Sequence, residues 1–244
     1  MIRTLWFYVV LVLSTLVHGG AALGAGLLRV RRRPGGVYDW TTPSWSRWIL
    51  RAAATPLDVQ GLERVPHDRP VVFASNHSSM FDIWALAVAL PGSVRMVAKA
   101  ELGRIPFFGA AMQRAGHITI DRFVKTRAFA AYDRAAAAIR SGLSAVVFPE
   151  GTRTRTGDLL PFKNAPFALA IAAQVPIVPV YVHDTFRILP KGRWRLRPQP
   201  IRIRIASPIE TAGMTADDRD ALRERVRATI VDLRARVDAA GVAH

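Results

Sequence analysis

The chain has 244 residues, 50% of them apolar by type, no cysteine and a formal charge of +16. The absent thiol excludes disulfides, thiolate metal sites and a cysteine nucleophile, and the six histidines show no HExxH spacing that would hold zinc. Arginine supplies nearly all the positive charge, the only lysines being Lys99, Lys125, Lys163 and Lys191. With no nucleic-acid module motif, this charge points to an anionic membrane surface rather than to a specific nucleic acid.

Residues 5–28 carry no charged side chain. A run longer than the ~20 residues needed to cross hydrocarbon is a candidate membrane helix. Arg3 precedes it and Arg29, Arg31, Arg32 and Arg33 follow, an order that leaves the next domain in the cytoplasm if the segment spans. A secretory signal is the competing reading, and His18 with the neighbouring glycines leaves a dipping hairpin open. Pro34-Gly35-Gly36 then breaks the chain. Residues 40–54 follow as a second helix, with Trp45, Trp48, Ile49 and Ala52 on one apolar face. Trp40, Arg47 and Arg51 suit a membrane interface; the alternative is a soluble helix packed on the main domain. Residues 1–55 therefore read as an N-terminal membrane-associated helical region and 56–244 as one α/β domain.

In that domain, residues 71–75 form an apolar strand that ends in Asn76-His77-Ser78-Ser79, and an apolar helix runs from 80 to 90. Strands are expected at 94–99, 116–122, 144–148 and 176–182, with helices at 123–140 and 162–173. The prolines at 176 and 179 place part of their strand at an edge or unpaired. Residues 201–205 alternate Ile and Arg, so one face is apolar and the other cationic. The last helix has Leu222, Val226, Ile230, Leu233 and Val237 on one face and a capping box from Thr215 to Asp218. Strands alternating with helices make this an α/β protein with a central, mostly parallel or mixed sheet flanked by helices and preceded by the apolar segment.

Four polar clusters follow apolar strands: Asn76 to Asp82, Asp121-Arg122, Glu150 to Arg155, and His183-Asp184. Strand ends that share one sheet edge are where open α/β folds bind ligands. A histidine can accept a proton from a hydroxyl near neutral pH, and a carboxylate on its other nitrogen would orient it. His77 and Asp82 meet that need if His77 lies in the turn before the helix and Asp82 in its first turn. The alternative is a solvated turn whose Asp82 caps helix-end amides. Arg122 and Arg153 offer the forked donors that phosphate prefers, and Gly151 permits close backbone approach. Each has a structural alternative: Arg122 paired with Asp121, and Glu150 paired with Arg153.

These blocks, in this order, resemble the 1-acyl-glycerol-3-phosphate acyltransferases of the glycerolipid acyltransferase family. The first is Asn76-His77-Ser78-Ser79-Met80-Phe81-Asp82, the second Gly116-His117-Ile118-Thr119-Ile120-Asp121-Arg122, the third Phe148-Pro149-Glu150-Gly151-Thr152-Arg153, and the fourth Val175-Pro176-Ile177-Val178-Pro179-Val180. Lys99-Ala100-Glu101-Leu102 and Ile105-Pro106-Phe107-Phe108-Gly109 also match, whereas Asn164-Ala165-Pro166 departs from the usual glycine-containing continuation. The resemblance implies a glycerolipid-acyltransferase-like domain behind a membrane-inserted helical pair. It implies acyl transfer from acyl-CoA or acyl carrier protein, as co-substrate, to a lysophosphatidic acid held in the membrane, with no cofactor or metal. His77 and Asp82 would be catalytic. Arg122, Glu150, Gly151, Arg153 and Lys99 would form the phosphate site, Ile105, Phe107 and Phe108 would wall the acyl groove, and a backbone amide near Ser78 would meet the oxyanion. The competing readings are an acyltransferase for another lyso-acceptor, such as a lysophospholipid or lyso-ornithine lipid, and a non-enzymatic basic membrane- or nucleic-acid-binding protein.

Overall fold

The computed structural model describes residues 1–120 and 125–242, the side chains of 125–130 and 240–242 excepted. Its centre is a sheet of β1 (Leu57–Gln60), β2 (Val72–Ser75), β3 (Val94–Lys99), β4 (Ile118–Ile120), β5 (Ser144–Val147), β6 (Ile177–His183) and β7 (Ile201–Ile205). The spatial order is β1-β7-β6-β2-β5-β3-β4. Every pairing is parallel except β6 with β7. The inner strands read as unbroken apolar runs because helices cover both faces. One face carries α5 (Lys125–Arg140), α6 (Ala165–Ala173) and α8 (Arg219–Val242). The other carries α1 (Ile2–Leu27), α2 (Val37–Ala53), α3 (Phe81–Ala89) and the short α7 (Thr185–Ile188), with α4 (Phe108–Arg114) beside them. Leu222, Val226, Ile230, Leu233 and Val237 of α8 are all buried, and the Thr215–Asp218 capping box forms.

Three expectations need correction. The Pro-containing strand is β6, which lies inside the sheet between β7 and β2. The ring of Pro179 is tolerated because its missing N–H falls one residue past the β6–β7 ladder, which begins at Val180↔Ile205. Helix α6 starts at Ala165, not at 162, with Pro166 in its first turn, where no amide partner is needed. In α2 the expected Ile49 and Ala52 are buried and Trp45 packs on the core, but Trp48 is exposed, and Tyr38, Thr41, Leu50 and Ala53 complete the inward face. The strand β1, which adds to β7 in parallel, was not legible as an element.

Helix α1 lies along the α/β domain over its whole length. Near its start, Thr4 Oγ1 accepts the amide of Leu196 at 3.3 Å. Phe7 is fully buried and stacks on Phe81 of α3 at 5.7 Å. Gly19 lies so close to the Phe107 ring that a Cβ there would come within 2.7 Å of it. Beyond the helix, Arg32 donates to the carbonyls of Gln113 and Arg114 at the end of α4, where a cation is favoured. Each buried aromatic of the Phe7–Phe81–Trp84 cluster contributes roughly 1.5–3 kcal/mol, so α1 is held by the same core that supports α3. Its other face leaves Ile2, Leu5, Trp6, Val9, Val12, Leu13, Leu16 and Val17 exposed.

Candidate active site

The pairings Ser75↔Val180, Ala74↔Val147, Met96↔Val146 and Lys99↔Ile120 put the carboxyl ends of β2, β6, β5, β3 and β4 on one sheet edge. Lys99 and His183 end β3 and β6, and His77 and Glu150 follow shortly after β2 and β5. Asp121 and Arg122, which follow β4, lie outside the described residues.

The loop between β2 and α3 is built around one carboxylate. Asp82 sits in the first turn of α3, fully buried. Its Oδ2 accepts Nδ1–H of His77 at 2.8 Å and the amides of Ser78 and Ser79 at 2.7 and 2.9 Å. Its Oδ1 accepts the Thr185 hydroxyl, which also bonds the Ser78 hydroxyl at 2.7 Å. A buried carboxylate needs such partners to offset lost hydration. Because Asp82 accepts at Nδ1, the Nε2 lone pair of His77 is left outward with no protein partner among the described residues. The capping and orienting roles weighed for Asp82 are therefore both filled by the same oxygen. The Ser78 amide, expected to meet an oxyanion, is committed to Asp82 instead.

Three further contacts fix the imidazole. Its ring stacks on Phe148 at 4.0 Å and 19°, its backbone amide donates to Oε1 of Glu150 at 2.7 Å, and its carbonyl accepts the Thr154 amide at 3.0 Å. The side chain is 13% exposed, enough to reach a ligand. Asn76 caps the ladder, its amide exchanging two hydrogen bonds with the backbone of Val182 at 2.8 and 2.9 Å. It thereby extends β2 by one residue and aims the turn.

Glu150, expected to help shape the phosphate site, is turned inward and bonds backbone amides. It is 2% exposed, and its Oε2 accepts the Leu160 amide at 2.9 Å while Oε1 holds His77. It ties the 149–163 loop to the turn that carries His77. Burial raises its pKa to about 7 against the pull of the two amides, and the nearby Asp82 charge adds to the rise. Arg153 is half-buried and without an ion pair among the described residues; Lys99 is exposed at the end of β3; Gly151 holds φ +71°. Thr185, Phe148 as a ring support and Asn76 as a strand cap were missed. Thr185 was within reach, since it adjoins the His183-Asp184 cluster.

A cavity of about 130 Å³ lies on the α1 side of this loop. Met80, Ile83, Trp45, Phe108, Met96, Met112, Ala22 and Gly19 are among its lining residues. Of the three groove candidates, Phe108 lines it, Phe107 packs on Gly19, and Ile105 is largely exposed. Two histidines also border it, each closed off. His18 donates Nδ1–H to the Ser14 carbonyl at 2.8 Å and accepts from Ser44 at 2.9 Å. His117 accepts the Met96 amide at 3.0 Å and donates to Thr42 at 2.9 Å. Burial, helped by the Arg95 charge, lowers the His117 pKa to about 3.

The model of a family described as Acyltransferase matches residues 56–183. Over 203 residues the chain is 32% identical to a 1-acyl-sn-glycerol-3-phosphate acyltransferase of Cocos nucifera, covering 83% of this chain and 64% of that protein. It is 37% identical over 172 residues to the human 1-acyl-sn-glycerol-3-phosphate acyltransferase alpha, covering 70% and 61%. The chain thus spans less than two thirds of the length of these relatives. The crystal structure of the LPA acyltransferase PlsC from Thermotoga maritima superposes with a TM-score of 0.78 at 26% identity, covering 96% of this chain and 95% of that one.

Proposed function

The chain belongs to the acyltransferase family, and from that premise we propose that it transfers a fatty acyl group from a thioester to the free sn-2 hydroxyl of 1-acyl-glycerol-3-phosphate, forming phosphatidic acid. The observation that carries this reading is the His77–Asp82 pair at 2.8 Å, with Nε2 left without a partner among the described residues. Nε2 takes the hydroxyl proton, and Asp82 holds the ring and stabilises the imidazolium. The alkoxide attacks the thioester carbonyl, the tetrahedral adduct collapses, and the imidazolium returns the proton to the departing thiolate. No acyl-enzyme is needed. The hydroxyls of Ser78 and Ser79 are tied to Thr185 and to the Leu189 carbonyl, so neither stands ready as a nucleophile. Arg153, with Lys99 and Arg122, holds the acceptor phosphate; Gly151 lets the backbone approach it. The cavity walled by Phe108 takes an acyl chain.

Helix α1 supports a seat on one leaflet. Only 28% of its most apolar stretch is buried inside the molecule, yet contacts with the domain run from Thr4 to Gly26. A helix crossing a bilayer would have to leave the domain it lies on. The protein therefore sits monotopically, on the cytoplasmic face of a bacterial inner membrane, where acyl-CoA and acyl carrier protein are found. Extracting a long-chain lysolipid would cost about 0.8 kcal/mol per methylene, and this seat avoids it. The test is thiol release by reconstituted protein, crossing both donors with lysophosphatidic acid and neutral lysolipids. His77→Ala should lower turnover roughly 10³-fold or more. Near-normal turnover would sink the mechanism, and indifference to the acceptor phosphate would sink the substrate.

A further inference from the structure

Between Pro190 and Pro198 the chain reads Lys191-Gly192-Arg193-Trp194-Arg195-Leu196-Arg197, outside every block that carries the family likeness. Four cations alternate with an aromatic and an aliphatic residue. Lys191, Arg193, Arg195 and Arg197 are all exposed, and none has an ion pair among the described residues. Other exposed arginines, such as Arg47 and Arg51, also lack carboxylate partners among the described residues, so the lack of ion pairs alone does not set this segment apart; four such cations within seven residues of one anchored turn do. The Trp194 ring is 54% exposed, whereas Leu196 between the arginines is buried in the core shared with α3.

The segment is not a free tail. Arg193 and Arg197 donate their amides to the carbonyls of Pro190 and Ile188 at 3.0 and 2.9 Å, which folds it into a fixed turn. Two bonds then fasten it to the first turns of α1: Tyr8 Oη donates to the Trp194 carbonyl at 2.9 Å, and the Leu196 amide donates to Thr4 Oγ1 at 3.3 Å. The α1 residues beside those anchors, Ile2, Leu5 and Trp6, belong to the exposed apolar face. At its start, Lys191 reaches Thr152 Oγ1 at 3.5 Å, next to Arg153. One short stretch therefore joins the apolar face of α1 to the loop that carries an active-site arginine.

We infer that residues 191–197 are the contact through which this protein grips the anionic phospholipid headgroups of the bilayer. Apolar side chains enter a bilayer while arginines and a tryptophan at their border meet phosphate at the headgroup level, and four unpaired cations fixed at that level answer an anionic surface. The proposal rests on the leaflet seat above and assigns to it a headgroup chemistry. It also gives an anionic lysolipid a cationic approach that ends at Thr152 and Arg153.

The experiment needs no acyl donor, so its outcome is separate from that of the catalytic reading. Full-length protein is offered, in competition, vesicles of pure phosphatidylcholine and vesicles with about one-third phosphatidylglycerol, and its distribution between them is measured. Competition cancels the apolar contribution of α1, which both vesicles receive. The wild type should prefer the anionic vesicles. Changing Lys191, Arg193, Arg195 and Arg197 to Gln should reduce that preference about tenfold or more at low salt, with the difference shrinking in high salt. A control removes equal charge from the opposite face of the sheet: Arg134 of α5 with Arg225, Arg227 and Arg236 of α8, each to Gln. Its preference should stay within about twofold of the wild type. Equal loss in both variants would overturn the proposal in favour of net charge. An unchanged preference in the loop variant would likewise overturn it.

Discussion

The turn that carries His77 and the apolar cavity on its α1 side both hold histidines, and they treat them oppositely. His77 has one nitrogen bound by Asp82 and the other open. His117 and His18 have both nitrogens engaged by backbone groups or hydroxyls. Around His77 the chain concentrates polar groups: a buried carboxylate, two serine amides, a threonine hydroxyl and a glutamate brace. Around His117 it concentrates methionines, alanines and Phe108, and the ring there serves as a neutral cross-tie between α2, β3 and the start of β4. The lesson is that burial does not distinguish the two kinds of histidine. The count of unsatisfied ring nitrogens does, because a base needs a lone pair that the fold has not already used.

The comparison breaks most visibly if each carboxylate or ring is altered in turn. Asp82→Asn should lower turnover roughly 10³-fold by presenting the wrong tautomer. His117→Gln should cost about 1–3 kcal/mol of stability through unpaired buried groups, with turnover kept within about fivefold. Steady-state kinetics and thermal unfolding of both variants check this. Comparable kinetic losses would erase the distinction.

The next test uses pH. Glu150 holds a proton in the folded state up to about pH 7 that the unfolded chain releases near 4.5. Its contribution to stability is full below about 4.5 and is lost as pH rises through about 7, a change of order 3 kcal/mol. His117 has the opposite sign. The folded state refuses a proton that the unfolded chain binds below 6.5, so its contribution is present above 6.5 and is lost as pH falls toward about 3. Between 4.5 and 6.5 the two slopes oppose each other. Chemical unfolding in micelles at stepped pH should therefore show stability rising with pH in Glu150→Gln and falling in His117→Gln. Slopes identical to the wild type in both would show that neither proton is linked to folding.

Smaller effects sharpen the boundary. Thr185→Val removes the hydroxyl from Asp82 Oδ1 and should lower kcat about tenfold with KM little changed; Thr185→Ser should restore most of it. A purely structural role would lower thermal stability without that split. In the cavity, Ala22→Phe should shift donor preference toward shorter chains, by roughly fourfold for each methylene excluded. An unchanged chain-length profile would remove the cavity from acyl binding.

Much of this was legible before any coordinates. The strand–turn–helix around His77, the amphipathic face of α8 and its Thr215–Asp218 cap depend on near neighbours, and periodicity reads near neighbours well. Glu150 was placed at the phosphate site by the family resemblance of the block at 148–153. Its partners, the amides of His77 and Leu160, lie far along the chain or outside any pattern. Thr185 and Asp82 are likewise 103 residues apart.

The sequence by itself determined which residue types stand at the strand ends, and with them the chemistry available: an imidazole, a carboxylate and guanidinium groups, without a thiol. Only the tertiary structure decided which nitrogen of which histidine stays open, which carboxylate orients and which braces, and that α1 lies along the domain. Those choices rest on hydrogen bonds and apolar contacts between segments distant in sequence. Such contacts become specific only once the sheet order has placed β2, β5 and β6 side by side.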